Sequence, residues 1–153
     1  RLDPSVELNA ADAEPVALPM LEPRGAARAD LAIEGRRIRV VGMHLDLSGL
    51  RRRDQIRSVL DHVGECEGVC PTVLMGDFNQ WGVNGGAMGA LGPDWHVLDT
   101  GRSFPSRQPI ARLDRIVTSR ERGCLAQHVH HSAMAAQASD HLPVVAELEL
   151  PMK

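Results

Sequence analysis

The chain has 153 residues, is 43% hydrophobic and 24% charged, and carries a formal net charge of -3. These values fit an ordinary globular domain and exclude a disordered or fibrous polymer. Lys153 is the only lysine, the arginines are dispersed, and there are no tyrosines, two phenylalanines and two tryptophans. The sequence therefore lacks the basic patch and stacking platforms of a strong nucleic-acid binder.

No apolar run is long enough to span a bilayer, and the first residues lack the basic-then-apolar pattern of a secretion signal. A cytoplasmic location is expected, but the sequence opens at Arg1 without a methionine, so any preceding targeting segment stays open. Cys66, Cys70 and Cys124 form an odd set, which fits a reducing compartment without disulfides. His62, Cys66 and Cys70 recur at intervals of four and admit a zinc-binding module. Gly64, Gly68 and Pro71 break any helix there, however, and a fourth ligand is missing.

In chain order, residues 27–33 and 36–43 read as a β-hairpin whose turn, Glu34-Gly35, uses glycine for a positive φ. Ser48 is a candidate N-cap for a helix ending at Gly64. Its apolar residues Ile56, Val59, Leu60 and Val63 recur at helical spacing, and the run Arg51 to Asp54 forms a solvated face. Residues 71–75 form a short apolar strand expected to be buried on both sides. A glycine-rich segment follows over residues 80–94, with a short helix near 87–91, and residues 103–106 read as a surface loop. Three further strands are expected over 111–118, 125–131 and 142–150. No repeat or long linker divides the chain. The alternation of strands and helices predicts an α/β or α+β sandwich.

Four polar clusters stand at strand ends. They are His44 in Gly42-Met43-His44-Leu45-Asp46, Asp77 and Asn79 in Gly76-Asp77-Phe78-Asn79, Asp114 in Leu113-Asp114-Arg115-Ile116, and Asp140-His141 in Ser139-Asp140-His141-Leu142-Pro143. Singly, each has an ordinary reading: a packed histidine, or an Asp-x-Asn turn that bonds its own backbone. Asp114 is less ordinary. A carboxylate inside an apolar strand needs a partner, and His141 is the best candidate.

In order, the four clusters resemble the endonuclease/exonuclease/phosphatase family, over residues 22–150, with Glu22-Pro23-Arg24-Gly25 similar to a strand-start segment of many members. The resemblance implies two packed, mostly antiparallel sheets with outer helices, a four-layer sandwich, and one partial domain spanning residues 1–153. It implies a hydrolase of phosphate esters that uses Mg²⁺ or Mn²⁺ and an activated water. Asp140 would ligate the metal. Asp77 would orient or deprotonate the water, and Asn79, aligned with it if the strand continues, would bind a phosphoryl oxygen or that water. His141 would contact the phosphate with Asp114 fixing its tautomer, and His44 would stand across the phosphate as donor or general acid.

Arg24 reads equally as a phosphate contact or an exposed strand charge. Trp81 is expected to cover the core rather than line the cleft. His128, His130 and His131 are not expected to hold a metal, since His131 points away from the other two on a strand and no carboxylate is close.

The sequence departs from the family at its start, where a strand asparagine and a later strand-end glutamate are absent; Glu7 and Glu14 lie in no apolar strand. Such domains need about a hundred more residues, so the N-terminal portion is expected to be missing, with weakened metal binding and hydrolysis. Self-association through the incomplete sheet is expected for the same reason. Small phosphodiesters, phospholipid head groups and nucleic acid are all open as substrates, with composition favouring small ones. The alternative is a non-catalytic remnant that binds phosphate or a partner protein.

Overall fold

The computed structural model describes residues 6–8, 14–16, 18, 24–33, 35–64, 71–82, 85–119 and 123–149. The hairpin forms as read: β3 (Ala26–Ile33) and β4 (Arg36–His44) pair antiparallel in register from Ala26↔Met43 to Ile33↔Arg36, and Gly35 takes φ 72°. Two short strands that the sequence did not signal, β1 (Val6–Leu8) and β2 (Glu14–Val16), pair along the outer edge of β3. Glu7 is thus in a strand after all, and so is Glu14. The Glu14 carboxylate pairs with Arg28, and His62 Nε2 lies 3.3 Å from it. His62 belongs to the possible zinc trio, whose Cys66 and Cys70 lie outside the described residues.

Helix α1 (Gly49–Gly64) makes the crossover that allows β5 (Thr72–Asp77) to pair parallel with β4. After a 3-10 helix (Gly86–Ala90), β6 (Trp95–Val97) and β7 (Asp114–Ser119) follow, and β7 pairs antiparallel with both β5 and β6. These seven strands form one sheet. A second sheet has two strands, β8 (Cys124–Val129) and β9 (Val144–Leu148), joined through α2 (Ala133–Ala138). β6 and α2 are further elements without a sequence signal.

Both faces of the large sheet carry packed apolar residues. On one, Val41, Met43, Leu74 and Val117 pack with Ile56 and Val59 of α1, Phe78, and Ala87 and Met88 of the 3-10 helix. On the other, Val73 and Ile116 meet Val144, Ala146 and Leu148 of β9. The sandwich is therefore α/β, with helix, large sheet and small sheet in succession. Coverage of the second face is partial, and this corrects the expectation for β5. Met75 is 37% exposed because two strands do not reach across it, and an apolar cavity of about 330 Å³ separates the sheets there.

The arginine run is not uniformly solvated either. Arg52 donates to the carbonyls of Asp46 and Leu47 and to Gln80 Oε1, so it pins the entry of α1 to the loop after β5. At the other end of the helix, buried Arg39 donates to both Asp30 oxygens at 2.7 and 2.8 Å and to the Val63 carbonyl at 3.1 Å. That bidentate pair holds the Asp30 carboxyl below its ordinary range, against the opposing effect of burial.

Gly76 fixes the approach of β5 to β4. Its φ is 135°, and a Cβ there would lie 1.9 Å from the Met43 carbonyl oxygen. Both the conformation and the space demand glycine. Gly76→Ala should destabilise the fold by about 2–4 kcal/mol, read as a lowered denaturant midpoint with unchanged slope. A midpoint equal to that of the parent would show that the strands part without cost.

Candidate active site

Three strand ends create the floor of the site. Register pairs His44 with Asp77 across β4 and β5, and Asp77 with Asp114 across β5 and β7, so these residues stand in one row at the same end of the sheet. Directly paired residues share a face, which points the three side chains to a common side. Backbone bonds continue the row past the strands, from Leu45 N–H to Asp77 O and from Phe78 N–H to Leu113 O, both at 2.9 Å.

The loop before β9 then brings Asp140 and His141 to this row. His141 Nδ1 lies 2.8 Å from Asp114 Oδ2, and its Nε2 is 3.9 Å from Asp77 Oδ2. His44 Nε2 lies 3.4 Å from the same Asp77 oxygen and also contacts the Arg24 guanidinium. Arg24, His44, Asp77, Asn79, Asp114, Asp140 and His141, the seven residues named from the sequence, line one cavity of about 400 Å³.

Asn79 arrives there by another route than strand continuation. β5 ends at Asp77, Asn79 takes φ 49°, and its backbone N–H donates to Asp77 Oδ1 at 2.8 Å, which closes the Asp-x-Asn turn. Its amide Nδ2 donates to the Leu45 carbonyl, also at 2.8 Å. The turn fixes Asp77 with one oxygen committed and Oδ2 facing the cavity.

Asp46, in the first cluster, is structural. Its Oδ1 accepts from Ser48 N–H, which, with Arg51 nearby, lowers its pKa against the effect of burial. Trp81 is 63% exposed and neither covers the core nor lines this cavity. β8 ends at Val129, so of the three neighbouring histidines only His128 is on the strand, and all three are exposed.

The segment after residue 102 is the largest correction. Ser103 and Ser106 are buried, not in a surface loop. Ser103 Oγ donates to Asp114 Oδ2 at 2.5 Å, and the Phe104 ring lies 4.8 Å from that of His141. Ser106 N–H donates to the Asp140 carbonyl at 2.7 Å. Buried Arg115, the β7 residue after Asp114, donates to the carbonyls of Gln80 and Gly82 and so holds the loop beyond Asn79. A Ser-Phe-Pro-Ser stretch carries the sequence signal of a turn and none of burial.

The donor set suits a hard cation. Three carboxylates line the cavity, and among the described residues the Asp140 carboxylate makes no hydrogen bond or ion pair. Oxygen donors of this kind fit Mg²⁺ or Mn²⁺ held through one or two carboxylates, water and substrate oxygens. Among the described residues, no group of three potential ligands forms a ready cage.

No family model matches the sequence, and no curated protein matches it. Solved structures are similar in fold. An endonuclease/exonuclease/phosphatase from Bacteroides vulgatus has 18% identity and a TM-score of 0.81, over 96% of this chain and 67% of that one. The fold is that of the endonuclease/exonuclease/phosphatase proteins. A family protein from Bacteroides thetaiotaomicron has 15% identity and a TM-score of 0.72, over 94% and 65% of the two chains. A D. rerio TDP2 complexed with a single-strand DNA product has 15% identity and a TM-score of 0.77, over 95% and 69%. The chain thus spans about two thirds of the length of these endonuclease/exonuclease/phosphatase-fold neighbours.

The His141 ring gives the site a pH signature. Partial burial disfavours its charged form, but the hydrogen bond and charge of Asp114, with the charges of Asp77 and Asp140, outweigh burial and raise its pKa. A raised folded-state pKa adds stability that is fully present below the ordinary histidine value and is lost as pH rises through the folded value. NMR titration with chelator present should place the His141 midpoint above the ordinary histidine value, and Asp114→Asn should lower it. The stability advantage of the parent over Asp114→Asn should be largest near pH 5–6, about where carboxylates are ionised and an ordinary histidine is protonated, and should shrink at higher pH.

Proposed function

We propose that this chain is a divalent-metal-dependent hydrolase of phosphate esters, of the endonuclease/exonuclease/phosphatase family, acting through attack by water. One observation carries the reading: two imidazoles, a guanidinium, an amide and three carboxylates meet in a single cavity. Phosphate esters are anionic and resist attack, so hydrolysis needs donors on the phosphoryl oxygens and a base beside the water. The cavity offers both.

On this reading Arg24, His44 and His141 bind and orient the phosphate. His141, with Nδ1 engaged by Asp114, turns Nε2–H toward a phosphoryl oxygen, and its raised pKa favours the charged donor. Asp77 holds its Oδ2 toward the cavity, and this oxygen receives the proton of the attacking water. Asn79 spends one amide hydrogen on Leu45 O and keeps the other for the water or a phosphoryl oxygen. His44, 56% exposed at the rim, stands where it can protonate a leaving oxygen. Asp140 would hold Mg²⁺ or Mn²⁺, which when bound neutralises charge on the phosphoryl group and polarises it.

Small phosphodiesters are the favoured substrates, because the chain is acidic overall and sparse in aromatics. Single-stranded nucleic acid enters as a second substrate class, through the TDP2 neighbour with its DNA product. Reliance on one assigned carboxylate, that of Asp140, favours weak metal binding. It also supports the alternative, a phosphate-binding remnant without turnover.

Hydrolysis of bis(p-nitrophenyl) phosphate and of a short single-stranded oligonucleotide, with Mn²⁺ or Mg²⁺, tests the proposal. Turnover should be weak, abolished by EDTA, and reduced by about 10²–10⁴-fold in Asp77→Asn. Asp140→Ala should raise the metal concentration needed for half-maximal rate. EDTA-insensitive turnover that survives Asp77→Asn would overturn the mechanism, and phosphate binding by calorimetry with no turnover would select the remnant.

The apolar cavity between the sheets supports self-association as part of the same proposal, because Met75 and Val145 stay exposed at 37% and 40%. Light scattering should give an apparent mass that rises with concentration; a constant monomer mass would refute it.

A further inference from the structure

We infer that Ser103 is a positioning residue, whose buried hydroxyl locks the Asp114 carboxylate so that His141 keeps its Nδ1–H on Asp114 and its Nε2 side toward the cavity, in the charged ring and the neutral one alike. The geometry is independent of the proposed reaction, while its consequence for turnover rests on the phosphoesterase reading. Ser103 has no exposed surface. Its backbone is tied on both sides, with its N–H donating to Ala111 O at 2.9 Å and its carbonyl accepting from Leu142 N–H at 2.8 Å.

A serine hydroxyl carries one proton and two lone pairs. The Asp114 backbone N–H lies 3.4 Å from Ser103 Oγ and engages a lone pair, while the hydroxyl proton goes to Asp114 Oδ2 at 2.5 Å. Oδ2 is also the oxygen that His141 Nδ1 meets at 2.8 Å. One carboxylate oxygen therefore receives two donors from two chain segments. The terminal torsion of an aspartate is broad and nearly two-fold when unconstrained. Without the serine, either oxygen could turn to the imidazole, and the ring would be held by a swinging partner. With it, Oδ2 has one place, and the ring tautomer follows from the hydrogen bond at its other nitrogen.

The neighbours of Ser103 act in the same sense. Phe104 stacks at a tilt on the His141 ring, and Ser106 holds the Asp140 carbonyl. Residues 103–106 therefore form a strap over the Asp140-His141 loop, with Ser103 as its contact to the reactive pair. Nothing in the four sequence clusters includes this residue.

Two variants of the whole chain, Ser103→Ala and Ser103→Thr, test the inference by NMR of ¹⁵N-labelled imidazoles at a pH where His141 is neutral. The parent should show Nδ1–H with a protected proton. Ser103→Ala should show a mixture of tautomers and fast exchange of that proton, and Ser103→Thr, which keeps the hydroxyl, should resemble the parent. On a phosphodiester, Ser103→Ala should lose about 10-fold in kcat with KM nearly unchanged, and Ser103→Thr should recover it.

A Ser103→Ala protein that keeps the single protected Nδ1–H overturns the inference. If alanine prevents folding, the threonine protein decides: a folded Ser103→Thr chain that loses the Nδ1–H tautomer overturns it equally. A chain without turnover on any phosphate ester defeats the phosphoesterase reading, and the ring signals still judge Ser103.

Discussion

Everything at the cavity depends on the register of three strands. β4, β5 and β7 end or begin so that His44, Asp77 and Asp114 fall in one row. A slip of one residue between β5 and β7 would send Asp77 and Asp114 to opposite faces, because side chains alternate with a period of two. The parallel β4–β5 pair could not be made by a hairpin, so α1 is as much a part of the site as the strands it connects. Gly76 sets the spacing of that pair, and Arg39, joined to Asp30 and to the last turn of α1, ties helix, hairpin and sheet together.

The second constraint is the meeting of two distant segments. Asp114 belongs to the large sheet, and His141 enters from the small one, 27 residues later. Their hydrogen bond joins the sheets at the polar cavity, apart from the apolar cavity that β5 and β9 leave between them. Polar bonds thus carry at this end of the sandwich what side-chain packing carries elsewhere. The neighbours of the same fold are longer than this chain, which covers 67% of the Bacteroides vulgatus protein.

Much of this was legible in the sequence where the signal is local. The hairpin around Gly35, the helix of Ile56 and Val59, and the need of Asp114 for His141 all follow from spacing or burial cost. The failures have a common cause in tertiary context. β6 and α2 are too short to show a period. Met75 reads as core because its run is apolar, and only the width of the opposing sheet leaves it exposed. Asn79 reaches the cavity by a left-handed turn that a strand pattern misstates. Ser103 sits among residues of turn composition, and its burial follows from a strap that closes across Leu142 and Ala111, neither of which is near enough in sequence to announce it.

The short helix α2 has no buried residue, and Ser132 Oγ caps it by accepting from Ala135 N–H. Segments with so little interior contact open at lower free energy than the sheets they join. The strap reaches both this helix, through Ser106 Oγ to Ala136 O at 3.3 Å, and the loop that carries His141, through Ser106 N–H to Asp140 O. Local opening of this helix would therefore loosen the His141 side of the cavity before the row of His44, Asp77 and Asp114, which the large sheet holds.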